Sequence, residues 1–592
     1  MTSLPLQHAL GFADSRDVDL FVATLERFER GEIDAEAWRG FRLLNGVYGQ
    51  RQAGFQMLRI KIPQGILVPS TLRTLAKVTA TYGEGRDHVT TRQNIQLYFL
   101  TLEQSETAMR DLAAAGLTTK EACGNSVRNV LANPLAGVDP EEPFDVTPYA
   151  EALTRHFLRG PRSSSLPRKF KIAFEGSTRD VMHAAINDLS YFAVLNEAGE
   201  PGFRILVAGG TSTLPRSGQV LSEFVPAGDL LTVSEAVVRV YHRDGNRDNR
   251  AKARIKWLVK QLGWPEVKAR IEAEIAVVQA EGGVPLPFDP GAAHAGPEAA
   301  PRDEREFPWV DAAPGWPSFR AKSVRPQSQP GLFTVWVTLL LGDLTPTQLE
   351  GLADLVERFG EGSLRTTIDQ NLVLRHVPEA ALVGLHAELV RLGLTRVGAG
   401  TFADVTSCAG ADTCGLAVTA SRGMARDLAE HLVQDEAALG GDPALRGASI
   451  KVSGCPNGCG QNHVASISLQ GGVRKIGGRP LPVYLLGIGG GAELDERGHV
   501  RGARFAKLVG KLPARRGREA IARLRAMHAE QRQASESFDA YLARIPAKVV
   551  ASALGDLLFV DESTATAEDF VDLGQDEAFV VLNDDDTPEV IA

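Results

Sequence analysis

Residues 83–94 read Gly83-Glu84-Gly85-Arg86-Asp87-His88-Val89-Thr90-Thr91-Arg92-Gln93-Asn94, and residues 360–371 read Gly360-Glu361-Gly362-Ser363-Leu364-Arg365-Thr366-Thr367-Ile368-Asp369-Gln370-Asn371. The two stretches are 277 residues apart. The same offset, held without gaps, lays Gly65, Pro69, Leu72, Leu75 and Ala76 on Gly342, Pro346, Leu349, Leu352 and Ala353. It also carries Gly116-Leu117-Thr118 onto Gly393-Leu394-Thr395. One offset kept over that span marks an internal duplication, which must be recognised before any other fold reasoning. The chain is two versions of one module.

Each copy reads alike. Strands are predicted over residues 56–62 and 333–340. Pro69 and Pro346 stand where a helix can start, and apolar residues recur at helical spacing until Gly83 and Gly360. Second strands are predicted over 94–100 and 371–375, then helices ending near Gly116 and Gly393. Strand, helix, strand, helix gives an α/β (α+β) class. Residues 282–330, rich in Pro, Gly and Ala, read as a linker. The basic segment 243–260 reads as a solvated helix or as part of a binding site.

At 592 residues several cores are expected, and 44% apolar with 23% charged residues is ordinary for a globular protein. No apolar run reaches membrane-spanning length, and residues 1–20 lack the apolar core of a secretion signal. A cytoplasmic protein with no membrane partner is expected. No basic stripe or stacking motif suggests nucleic acid. The net charge is −9, yet no Lys or Arg follows Lys548 while 12 acidic residues do. The body is therefore near neutral, and residues 549–592 read as a solvated acidic tail.

Of five cysteines, Cys123 stands apart and four form two pairs: Cys408-x5-Cys414 and Cys455-Pro456-Asn457-Gly458-Cys459. Soft thiolates suit zinc or iron–sulfur clusters. Structural zinc favours pairs two to four residues apart, which the first pair breaks. A cubane tolerates wider spacing, and Gly-rich loops such as Ala409-Gly410-Ala411 offer backbone N–H groups to its sulfides. The pattern points to a cluster without naming a reaction.

Those two cysteine motifs resemble the signature of the sirohaem sulfite and nitrite reductases. The resemblance covers nearly the whole chain, since that family is itself a duplicated module. It implies two ferredoxin-like, sirohaem-binding halves with the cofactors at their interface. It implies a [4Fe–4S] cluster on Cys408, Cys414, Cys455 and Cys459, with Cys459 shared with the sirohaem iron. The implied organisation is a first ferredoxin-like half-domain with N-terminal extension over 1–140, a sirohaem-reductase domain over 141–281 and the linker 282–330. The second ferredoxin-like half-domain then covers 331–402, the cysteine-bearing domain 403–548 and the tail 549–592.

Reducing a small oxyanion needs fixed positive charge and protons, which Arg and Lys supply. Arg59 in Met57-Leu58-Arg59-Ile60-Lys61, Arg128 in Asn125-Ser126-Val127-Arg128-Asn129, and Lys169 and Lys171 in Arg168-Lys169-Phe170-Lys171 match the family's anion motifs. On a strand Lys169 and Lys171 would share a face, with Phe170 opposite. Arg59 falls on Trp336 at the 277 offset, so the copies look specialised, one for the anion and one for the cluster. The carboxylate-rich sirohaem needs a cationic and amide lining. The resemblance points to His88, Arg92, Gln93 and Gln96, then Arg254, Lys256 and Asn457.

Nitrite reductases of the family commonly carry Asn where Lys171 stands, so the second lysine tilts the reading to sulfite, the more charged anion. Nitrite is the alternative. Some sulfite-reducing members carry Tyr and Cys, joined as a thioether, in the motif contexts of Tyr48 and Cys123; a free buried cysteine is the other reading. No dinucleotide fingerprint opens a helix after a strand, so a separate donor is expected: by resemblance reduced ferredoxin, otherwise a reductase flavoprotein. A monomer is expected. A cluster-bearing electron carrier would explain the cysteines but leaves Arg59, Arg128, Lys169 and Lys171 without a task.

Overall fold

The computed structural model describes residues 11–291, 310–496 and 498–581. Two of its five-stranded sheets are copies of each other. One runs Val47–Gly49, Gln56–Ile60, Ile95–Leu100, Asp87–Val89, Asp343–Leu344; the other runs Val324–Pro326, Leu332–Val337, Leu372–Pro378, Leu364–Thr366, Ile66–Leu67. Each takes its fifth strand from the other half: Asp343 and Leu344 pair with His88 and Asp87, and Ile66 and Leu67 with Arg365 and Leu364. The 277 offset turns one borrowed strand into the other. The duplicated module is thus a pair of interlocked α+β halves.

The helices start and stop as their sequences dictate. Pro69–Tyr82 and Pro346–Phe359 carry proline in the first turn, where no amide hydrogen is needed, and end at Gly83 and Gly360. Their apolar faces, with Leu72, Leu75, Leu349 and Leu352 fully buried, share one core that draws on both halves. Gly116 and Gly393 follow the next helices in left-handed conformations (φ +81° and +66°), the chain reversal that glycine permits.

Two further sheets are also copies. Val127–Ala132, Phe170–Glu175 and Leu189–Leu195 run parallel, and Pro201–Val207 and Gln219–Pro226 complete the sheet antiparallel. Thr406–Ser407, Ile450–Ser453, Ile467–Ile476, Arg479–Ile488 and Lys507–Pro513 repeat that order and sense. The helices Thr147–Phe157 and Ser421–Leu432 lie between the first two strands of each in sequence.

Three expectations are corrected. Of the linker, residues 292–309 lie outside the described residues, but Trp316–Ser323 is a helix and Val324–Pro326 already pairs with Leu332–Val337, so the second half begins before 331. Segment 243–260 is not one solvated helix: a helix ends at Asp244, another starts at Ile255, and Arg254 and Lys256 between and within them are buried. The acidic segment after Lys548 is not a free tail through residue 581. Val560 and Phe570 pack with Ile476, Leu481 and Val483, and Asp569 pairs with Arg516 at 3.2 Å. Counting charge missed the apolar residues set among the acids.

Candidate functional site

The cysteine loops leave one sheet side by side. Cys408 follows Thr406–Ser407 and Cys455 follows Ile450–Ser453, and these strands are parallel neighbours with Ser407 opposite Val452. The Gly454 amide donates to Cys408 Sγ at 3.2 Å. Further backbone amides point at the sulfurs: Leu416 and Ala417 at Cys414, Asn457 at Cys455. The loop passes close beneath the helix Ser421–Leu432. A β-carbon on Gly410 (φ +61°) would stand 2.5 Å from Ser421 Oγ.

Burial, then the neighbouring thiols, push Cys414 up to about 11 and Cys455 up to about 12, and they raise Cys408 as well. Four thiolates gathered like this need metal charge among them. Two cysteine loops side by side, with backbone amides directed at their sulfurs, suit a cubane. The donor set therefore fits a [4Fe–4S] cluster.

Opposite the cysteines stands a wall of cations. Arg59 on Gln56–Ile60 donates from Nη1 to Cys123 Sγ at 3.1 Å. Arg128 lies on Val127–Ala132, beside Phe170–Glu175, which carries Lys171 and is preceded by Lys169. Phe170 points into the core, so the two lysines share the other face. Both keep partly accessible side chains although protein surrounds them. Neither has an ion pair among the described residues. Burial pulls Lys169 down to about 8, and burial with Arg92, Arg254 and Lys169 holds Lys171 well below its ordinary value. Arg128 falls to about 10 and Arg92 to about 9, each chiefly from burial. Crowded cations of this kind call for an anion. The Cys459 thiol acts electrostatically on Arg59, Lys169 and Lys171, which places cluster and anion wall at one site.

The turn at residues 90–94 is sewn to the cysteine loop. Thr91 Oγ1 donates to the Cys459 carbonyl at 2.8 Å, and Gln461 Nε2 donates to the Thr91 carbonyl at 3.1 Å. Arg92 donates to Asn187 Oδ1 and the Asn129 carbonyl, leaving Nε buried and without a protein partner. Gln461 Oε1, Asn462 Oδ1 and His463 Nδ1, just past Cys459, are buried and unpartnered too. Buried polar atoms without partners are uncommon in native structures. The free donor Arg92 Nε, together with the cation wall, fits a polycarboxylate cofactor such as sirohaem, whereas the amide oxygens of Gln461 and Asn462 are acceptors and call for a donor. Motif reading missed Thr91, Gln461, Asn462 and His463, although direct adjacency to Cys459 was a signal for the last three. Nothing in the sequence pointed to Asp188, which binds Arg254.

Several residues expected to contact the cofactor are engaged by protein groups. Gln93 gives its amide to the carbonyls of Ala132 and Thr366 and accepts from the Ala132 amide, so it ties strands together. Its counterpart Gln370 does the same with Val89 and Ser407. His88 has both ring nitrogens engaged, at 3.4 Å from Asp343 and 3.2 Å from Gln370. Lys256 spends its ammonium on the carbonyls of Thr211, Thr213 and Leu214. Arg254 is held by Asp188 at 2.7 Å, and Asp188 also receives the Lys171 amide. Gln96 is buried in register between Arg59 and His88, and Asn457 is half-exposed in the cysteine loop. Tyr48 and Cys123 fall in one apolar cluster with Met57, Tyr98 and Ala409.

A family model described as the nitrite and sulphite reductase 4Fe-4S domain matches residues 123–278. A second, the nitrite/sulfite reductase ferredoxin-like half domain, matches 48–115 and again 325–392. The ferredoxin–nitrite reductase of Synechococcus elongatus is 35% identical over 429 residues, 71% of this chain and 77% of that protein. The sulfite reductase (ferredoxin) of Mycobacterium tuberculosis is 30% identical over 482 residues, 78% of this chain and 81% of that protein. The solved structure of the Mycobacterium tuberculosis NirA protein superposes with a TM-score of 0.71 at 28% identity, covering 88% of this chain and 92% of that one. No described helix is long and apolar enough to cross a membrane.

Proposed function

The chain belongs to the nitrite and sulfite reductase family, with sirohaem and a [4Fe–4S] cluster as cofactors, and we propose that it reduces sulfite to sulfide with electrons from reduced ferredoxin. Cys408, Cys414, Cys455 and Cys459 would hold the cluster, with Cys459 on the side of the anion wall. Bound sirohaem would supply the iron at which the anion is reduced, and the cluster would supply electrons to it. Arg59 and Arg128 turn to the anion's oxygens the guanidinium nitrogens left over from Arg59's bond to Cys123 and Arg128's bonds to the Gly124 and Ala122 carbonyls. Lys169 and Lys171 balance the anion's charge and donate protons as oxygen leaves as water. Arg92, through its free Nε–H, faces the cofactor's carboxylates. Ferredoxin is named in the relatives on both sides of the substrate question, which supports it as donor.

The observation that carries the choice of sulfite is Lys171: a second buried lysine beside Lys169, with no ion pair among the described residues and held well below its ordinary value by burial and the neighbouring cations, which an anion would relieve. The reading of nitrite rests on the 35% identity to a nitrite reductase. Lys171→Asn tests the two. The expected outcome is a loss of about tenfold or more in kcat/KM for sulfite, about 1.4 kcal/mol of transition-state stabilisation, with nitrite turnover kept. Equal losses for both anions would remove Lys171 as the discriminating residue.

Tyr48 and Cys123 are proposed to be joined by a thioether, formed with loss of the thiol hydrogen and one ring hydrogen to a two-electron oxidant such as dioxygen. Peptide mass spectrometry should find one linked species two hydrogens lighter than the separate peptides. Two unmodified peptides would show a free cysteine.

A further inference from the structure

The acidic C-terminal segment has a place in the cluster site. Beyond Phe570 the chain reaches the start of the helix Ser421–Leu432. There the Ala420 amide donates to Asp572 Oδ2 at 2.7 Å, with Asp572 buried. The Leu573 carbonyl lies 1.8 Å from where a β-carbon on residue 423 would stand, so only glycine permits this approach.

The pinned stretch shapes the cysteine cage. Val418 and Thr419 donate their amides to the Gly454 carbonyl at 2.8 and 3.1 Å, and the Thr419 carbonyl accepts from Ala411 at 3.0 Å. Ser421 Oγ donates to the Cys408 carbonyl at 3.1 Å and lies 3.3 Å from its sulfur. Ala420, the residue Asp572 holds, is the link between Thr419 and Ser421. Burial raises Asp572, while the amides of Ala420 and Leu573 and the positive end of the helix favour its charged form.

We propose that Asp572 is a positioning residue of the cluster, fixing the 418–421 stretch that ties the Cys408 loop to the Cys455 loop and placing a negative charge beside it. The proposal rests on the cluster and is independent of which anion is reduced. It gives the C-terminal segment a task in electron transfer.

Three variants of the full-length holoprotein separate bond from charge: Asp572→Asn, Asp572→Ala and Gly423→Ala. The measurements are the cluster's potential, by spectroscopically monitored redox titration, and the rate at which a chelator bleaches it. Asn keeps an acceptor for the Ala420 amide but removes the charge. It should retain the wild-type bleaching rate while the potential shifts positive, because a reduced cluster is less disfavoured without the nearby anion. Asp572→Ala and Gly423→Ala should bleach about tenfold faster, the effect of losing a charged hydrogen bond. Wild-type potential and bleaching in all three, even with lowered melting temperatures, would overturn the proposal and leave a purely structural strap. A wild-type protein without a cluster signal would overturn the cluster assignment itself, and the proposal with it.

Discussion

Lys169 is held near 8 by burial first, with the cations of Arg128, Arg168 and Arg254 adding to it. Below that pH the free site carries its ammonium; above it the charge is lost. Anion binding favours the charged form, so KM for the anion should rise as pH increases through about 8, while kcat holds to higher pH. Steady-state pH profiles check this, and Lys169→Met should flatten the KM limb; an unchanged limb would assign it to another group. The lysine pair was legible because strand alternation has period two and Phe170 took the core side. Gln93 and Lys256 were not legible as they are. A sequence motif shows that a polar side chain is present, but not whether a ligand or a backbone carbonyl saturates it first. In both residues the backbone carbonyls win.

At the scale of elements, the duplication and its helix boundaries were readable because proline, glycine and helical periodicity recur at one offset. The exchange of edge strands was not. Ile66–Leu67 and Asp343–Leu344 are two residues long, too short for any periodic signal, and their partners lie in the other copy. Gln93 and Gln370 close this exchange from opposite sides, each with a backbone carbonyl of the other half. Gln93→Leu should therefore lower stability to urea by about 2 kcal/mol, since it strands buried carbonyls and an amide. The visible spectrum of the bound sirohaem should stay unchanged. A shifted spectrum with unchanged stability would return Gln93 to the cofactor.

At the scale of the whole molecule, a shared core packs the two halves together, and the proposed chemistry draws on residues of both. The first half brings Arg59, Arg128, Lys169 and Lys171, and the second brings the four cysteines, a division already visible where Arg59 falls on Trp336. Charge counting placed the acidic segment outside this plan. Its apolar residues and the bond from Ala420 to Asp572 place it inside. The most direct measurement is steady-state turnover of the anaerobically purified, cofactor-loaded protein with a reduced viologen dye, offering sulfite and nitrite separately. A much higher kcat/KM for sulfite, with sulfide released, is the predicted result. A clear preference for nitrite, with ammonia released, would keep the fold and cofactors but contradict the anion assignment carried by Lys171.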